Sequence, residues 1–217
     1  MSEVMSRGGV RRRISAPERR ARIVAAALEA FGAMGYDGTG LERIAEMAGV
    51  TRAVLYDHFD SKKALYLEVL TEQSGVFLGH VGATITSGGP PEQRMRATVD
   101  AVFTYAERYP HAWRLLFGHE RSADPDIAAA HASMHGTRVE VVAAMLAPDS
   151  RAIGMDPDSV QMRIMVEMLI ASLRGSVDWW QTHRTTSRAE LLEAAMDLLW
   201  RGLGRATRLL RNTKGSP

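Results

Sequence analysis

Residues 41–59 read LERIAEMAGVTRAVLYDHF, and their pattern decides the fold. Ile44-Ala45 and Met47-Ala48 put small and apolar side chains on the inner face of one short helix. Gly49 supplies a sharp turn, Val50 an apolar plug beneath it, and Val54 and Leu55 face inward from a second short helix. Two short helices packed at a steep angle on small residues form a helix-turn-helix, whose second helix is free to enter a DNA major groove. Any tight corner between two helices also needs glycine and small residues, so the pattern by itself leaves both readings open.

Outward from this stretch the chain reads as helix from end to end. No segment sustains the two-residue alternation of a strand, and the punctuation marks helix starts. Ala16-Pro17-Glu18 opens a helix with an apolar stripe at Ile23, Ala27, Phe31 and Met34, ending at Gly35. Thr39-Gly40-Leu41-Glu42 reads as a capping box for a helix through Met47, and Thr51 caps the next, to about His58. Asp60-Ser61 caps a long helix to about Leu78, and Thr84–Gly89 is a loop. Pro90-Pro91-Glu92 starts a helix that stops before Tyr109-Pro110, followed by an aromatic helix from His111 to Phe117. Asp124-Pro125-Asp126 starts a helix to about Leu146, and Asp156-Pro157-Asp158 one to about Trp180. Ser187-Arg188-Ala189-Glu190, a second capping box, starts the last, to about Arg205. The expectation is an all-α protein of about nine helices without internal repeats.

The 217 residues allow one or two domains, and a 46% hydrophobic, 24% charged composition is that of a globular chain. The absence of cysteine excludes a disulfide scaffold, a cysteine nucleophile and thiolate metal sites, and fits a reducing cytoplasm. The most apolar run, Ile164–Leu173, is broken by Glu167 and too short to span a bilayer, so no membrane partner is expected. Arg11-Arg12-Arg13 ahead of an apolar run superficially resemble a signal peptide, but Glu29 inside that run favours an amphipathic helix. The formal charge of +2 conceals segregation. Residues 1–22 carry seven Arg against two Glu, and residues 201–217 five bases and no acid, so the acidic body between them sums to −8. Basic ends on an acidic body fit either a nucleic-acid footprint or solubilising tails.

Beyond the helix-turn-helix, Leu55-Tyr56-Asp57-His58-Phe59-Asp60-Ser61-Lys62-Lys63-Ala64-Leu65 resembles the block LYxHFxSKxxL of the TetR family of bacterial transcriptional repressors. Phe31-x-x-x-Gly35-Tyr36 and Ile44-Ala45-x-x-Ala48-Gly49-Val50 match the same pattern at its spacing. The resemblance covers about residues 17–70 and implies an all-helical dimer with a divergent regulatory domain. Four parts follow: a basic arm over 1–16, a helix-turn-helix domain over 17–63, a ligand-binding and dimerisation domain over 64–206, and a basic tail over 207–217.

Residue by residue, Thr39 and Thr51 are candidate phosphate contacts, Thr51 because a helix start presents a hydroxyl and free amides. Arg52 is the first side chain of the recognition helix, and Arg is the commonest bidentate reader of guanine. Ala53 allows close approach or meets a thymine methyl. Tyr56 and His58 resemble the family's backbone-contacting positions, against the plainer alternative of interhelical packing, which is the reading for Phe59. Lys62 stands in a first helical turn, where the macrodipole disfavours a cation, so a phosphate is its expected partner. Two departures bear on DNA binding: Gly40 replaces the usual hydroxyl residue, and Glu42 an often basic one. Residues 23–70 carry four bases against seven acids. Arg11, Arg12 and Arg13 of the arm are therefore expected to supply the missing phosphate neutralisation, reaching the adjacent minor groove.

After residue 90 bulky and soft side chains cluster. Core packing accounts for each singly; the resemblance adds a cavity for a small apolar or amphipathic effector, with Phe103, Trp113, Phe117 and Met165 as candidate lining. His131 and His135 share a helical face and would hold a metal or orient a ligand only with a third group, so no metal or cofactor is expected. The helices over 158–180 and 188–205 are apolar over much of their circumference. That fits a two-fold four-helix interface or a large internal core. A homodimer would read a palindromic double-stranded DNA operator with recognition helices about 34 Å apart. A ligand-released repressor is the leading reading. An activator or an architectural DNA-binding protein with a solid core is the alternative, and no enzyme motif such as GxSxG, HExxH or a P-loop is present.

Overall fold

The computed structural model describes residues 15–118 and 122–202. Arg11, Arg12 and Arg13 of the expected arm, and the tail over 207–217, lie outside the described residues. Among those described are nine α-helices, one π-helical turn and no strand: α1 (Ala16–Gly38), α2 (Leu41–Ala48), α3 (Arg52–Tyr56), α4 (Lys62–Ile85), α5 (Pro91–Arg108), α6 (Pro110–Phe117), α7 (Pro125–Ala152), α8 (Val160–Thr182), α9 (Arg188–Met196) and the π-turn (Asp197–Arg201).

Local chemistry explains most boundaries. Ser15 and Glu18 form a capping box for α1, Glu18 N–H donating to Ser15 Oγ at 3.3 Å and Ser15 N–H to Glu18 Oε2 at 2.8 Å. The regular winding of α1 stops at Gly35, whose φ of 74° suits a residue without Cβ. Gly49 ends α2 in the left-handed region at φ 66°, and Thr51 Oγ1 caps α3 by accepting from Val54 N–H. Several expectations are corrected. Thr39 and Glu42 do not form a capping box: Gly40 is the N-cap of α2 and no side chain caps it. Helix α4 continues past Leu78 to Ile85 because Val81 and Ile85 extend the buried stripe begun at Phe77. Helix α7 runs past Leu146 and accommodates Pro148. Asp156-Pro157-Asp158 is a turn, and Ser159 caps α8, accepting from Met162 N–H at 3.2 Å.

One cluster of buried apolar side chains extends from Ile23 of α1 to Leu199 of the π-turn. At its N-terminal end Tyr66 of α4 meets Phe31 and Tyr36 of α1 edge-on, with ring centroids 4.9 and 5.0 Å apart. Helix α6 presses on α1 so closely that a Cβ on Gly32 would overlap the His111 backbone. A smaller cluster, Val139, Val142, Met162 and Val166, joins α7 to α8.

The glycines of α1 and α4 should answer differently to one substitution. Gly32→Ala is expected to lower stability by about 1–3 kcal/mol through overpacking. Gly75→Ala, exposed and with open space at its Cβ, should raise it by about 0.5–1 kcal/mol; chemical denaturation of the two variants checks both.

Candidate nucleic-acid interface and ligand cavity

Helix α3 buries Leu55 and leaves Thr51, Arg52, Ala53 and Tyr56 exposed, the arrangement a groove-reading helix requires. Arg52 is held in place by partners within the protein. Its guanidinium pairs with Glu42 of α2, donates to the Tyr56 hydroxyl at 3.2 Å and lies over the Tyr56 ring at 5.4 Å. His58 is half-buried beside this face. Lys62 lies over the Tyr36 ring, its Nζ 4.3 Å from the centroid, so the cation misplaced at a helix start has a partner within the protein. Thr39 is corrected as a contact through its side chain. It is 2% exposed and its hydroxyl donates to the carbonyls of Gly35 at 2.6 Å and Ala30 at 3.2 Å, closing the end of α1.

The second feature is a solvent-open, mostly apolar cavity walled by α4 to α8 and by Trp200 of the π-turn. Of the four residues the sequence suggests as lining, Trp113 and Phe117 border this space and Phe103 and Met165 do not. Phe103 is fully buried against Trp180 on the next face of α5, the cavity-facing residues there being Met95, Thr98 and Val102. Met165 falls one turn before Leu169, where the α8 wall begins. The wall residues Phe77, Val81 and Ile85 recur every four positions along α4, a signal present in the sequence beyond where the helix was expected to end. A neighbouring open cleft of about 1160 Å³ shares Phe117, Arg138, Ile170 and Arg174 with the cavity.

His131 and His135 line this cleft but go separate ways. His131 meets the Tyr66 hydroxyl at 2.7 Å, and His135 pairs with Glu167 at 2.9 Å. Among the described residues no three His, Asp or Glu side chains form a group able to hold a metal.

The profile of the bacterial regulatory proteins of the tetR family matches residues 23–69. The HTH-type transcriptional activator FasR of Mycolicibacterium smegmatis is 31% identical over 198 residues, 90% of this chain and 89% of that protein. The chain belongs to the TetR family. Two solved structures share its fold. FadR from Bacillus subtilis, in complex with stearoyl-CoA, superposes with a TM-score of 0.69 at 16% identity, covering 82% of this chain and 96% of that one. AibR, in complex with isovaleryl coenzyme A and operator DNA, superposes with a TM-score of 0.64 at 19% identity, covering 84% and 98%. As a TetR-family member the protein is a DNA-binding transcriptional regulator, with α2 and α3 as its helix-turn-helix. No helix among the described residues is long and apolar enough to cross a membrane.

Burial, with a smaller push from the Arg138 cation, holds the His131 imidazole below its usual 6.5. The unfolded chain therefore takes up this proton first. The contribution of His131 to stability is present above pH 6.5 and lost as the pH falls below it. His131→Gln, which keeps a hydrogen-bonding group beside Tyr66, should flatten the decline of Tm between pH 7.5 and 5.5; an unchanged slope assigns the decline to other groups.

Proposed function

We propose that this TetR-family regulator is a cytoplasmic homodimer that grips a palindromic operator through α3 and releases it when an apolar or amphipathic ligand enters the cavity. One observation carries the reading: α6 faces both ways. Its Trp113 and Phe117 line the cavity, while Arg114 Nε donates to the Gly32 carbonyl of α1 at 2.8 Å and His111 abuts the same residue. A ligand that displaces α6 therefore moves the first helix of the DNA-binding unit, and with it the spacing of two recognition helices across a dimer. The open cavity also speaks against a solid-cored architectural protein.

On the operator, Arg52 reads a base edge, Thr51, Tyr56, His58 and Lys62 position the backbone, and Ala53 allows close approach. Glu42 competes with DNA for Arg52. Arg11, Arg12 and Arg13 act as additional phosphate contacts. The dimer would form on α8, where Val160, Ile164 and Met168, 67%, 52% and 64% exposed, recur every four residues and Trp179 continues the stripe. An apolar row of this kind on a regular helix calls for a partner surface. The acyl-CoA complexes of FadR and AibR support an acyl chain as the cavity's occupant. A second reading, activation instead of repression, is favoured by the FasR relative, a named activator.

Footprinting and mobility shifts on the DNA upstream of the protein's own gene test the proposal. A protected palindrome released by dodecanoyl-CoA is expected, and a footprint indifferent to acyl-CoA rejects the ligand-release mechanism. Arg52→Ala should weaken binding by about 1–3 kcal/mol and relax specificity at one base position, whereas Glu42→Gln should tighten it by freeing Arg52. Deleting residues 1–15 should flatten the salt dependence of binding, and an unchanged slope removes the arm from the mechanism.

A further inference from the structure

Among the described residues, Arg138 of α7 is the one strongly buried charge at the cavity, 5% exposed, in the wall shared by cavity and cleft. Among the described residues no carboxylate or carbonyl accepts from it, and its Nε is buried without a hydrogen bond. It lies over the faces of Phe117 and Phe77, at 4.3 and 6.0 Å, which return only part of the hydration it has lost. The charge that acts on it is that of another cation, Arg174. Burial and that neighbour lower Arg138 to about 10, which leaves it charged at neutral pH.

Every other charge lining the two spaces has a partner. Arg94 pairs with Asp149, His135 with Glu167 at 2.9 Å, and Arg174 with Asp178 at 3.7 Å. The buried wall atoms that make no hydrogen bond are all donors: Arg138 Nε, the indole Nε1 of Trp113, and Arg174 Nε, which has only its 3.7 Å ion pair with Asp178. Buried donors with no acceptor, beside a space walled by Phe77, Val81, Leu146 and Leu173, call for a ligand that brings both an aliphatic chain and an oxyanion.

We infer that the cavity selects an anionic amphiphile, its chain along the α4–α8 wall and its carboxylate or phosphate oxygens on the Arg138 guanidinium. This rests on the cavity being the effector site, and deepens that reading. Without ligand Arg138 is a destabilising cation, and ligand binding relieves it. An apolar ligand of equal length lacks that gain, so the buried charge sets specificity.

The test measures binding of dodecanoate, dodecanoyl-CoA and the neutral dodecanol to the full-length protein by calorimetry, with dimer mass followed by light scattering. For the wild type, an anionic probe should bind at least roughly tenfold more tightly than dodecanol. Arg138→Met should weaken that probe by roughly 10–100-fold, leave dodecanol unchanged and raise the ligand-free Tm. Arg138→Lys, which keeps the charge without the planar fork, should fall between. A loss confined to dodecanoate identifies a carboxylate at Arg138, and one confined to dodecanoyl-CoA a phosphate. Equal binding of dodecanoate, dodecanoyl-CoA and dodecanol overturns the inference while leaving the cavity as an effector site. So does an Arg138→Met dimer that dissociates, because the counter-ion then lies across the interface. If no probe binds the wild type, the cavity reading itself fails and takes the inference with it.

Discussion

The Gly32 carbonyl of α1 accepts from Arg114 Nε of α6 at 2.8 Å, and the two backbones meet there with no side chain between them. The rest of the arrangement depends on that approach. Helix α6 has eight residues, too few to hold helical form alone, and its stability comes from burying Ala112, Trp113, Leu115, Leu116 and Phe117. The element that closes one side of the cavity is thus also the element on which α1 rests. A second tie runs through the start of α7. Asp37 accepts from the Ala123 amide at 3.0 Å, and Lys63 pairs with Asp124 at 2.8 Å and Asp126 at 2.6 Å. From Asp126 to Arg138 the helix rises about 18 Å, so one rigid rod joins the DNA-binding unit to the charged wall of the cavity.

The electrostatics of that unit are economical in a particular sense. Residues 23–70 are net acidic, yet the cations in and beside them are already placed. Arg20 pairs with Glu68 and lies over Phe59, Arg43 pairs with Glu46, Arg52 with Glu42, and Lys62 covers Tyr36. Groups pre-oriented by internal partners lose less freedom on binding but must exchange one anion for another.

How far the sequence was legible follows from the range of each interaction. Gly49, Val50 and Leu55 announce the helix-turn-helix because all its determinants lie within one short stretch, and the caps at Ser61, Asp124 and Ser187 are equally local. Thr39 misled for the opposite reason. The Thr-x-x-Glu spacing satisfies the local pattern, but its hydroxyl bonds back to Ala30, nine residues earlier, a contact created by the turn at Gly35. The cavity draws on six elements, so size alone marks Phe103 and Met165 as candidates, while Phe103 is turned away by rotation about α5 and Met165 stands one turn short of the α8 wall. Arg138 carried no signal at all. Beside Gly136 and Thr137 it reads as one more exposed base on an amphipathic helix, and only the packing of Phe77 and Phe117 around it reveals otherwise.

Trp200 reaches the cavity from the π-turn over Asp197–Arg201, where the chain winds with an additional residue in the ring. Removing one residue from this turn would restore regular α-winding, whose ring is one residue shorter, and the indole would leave its place at the wall. Chain length at this point therefore helps set which side chain completes the wall, apart from the α4 to α8 residues that form the rest of it.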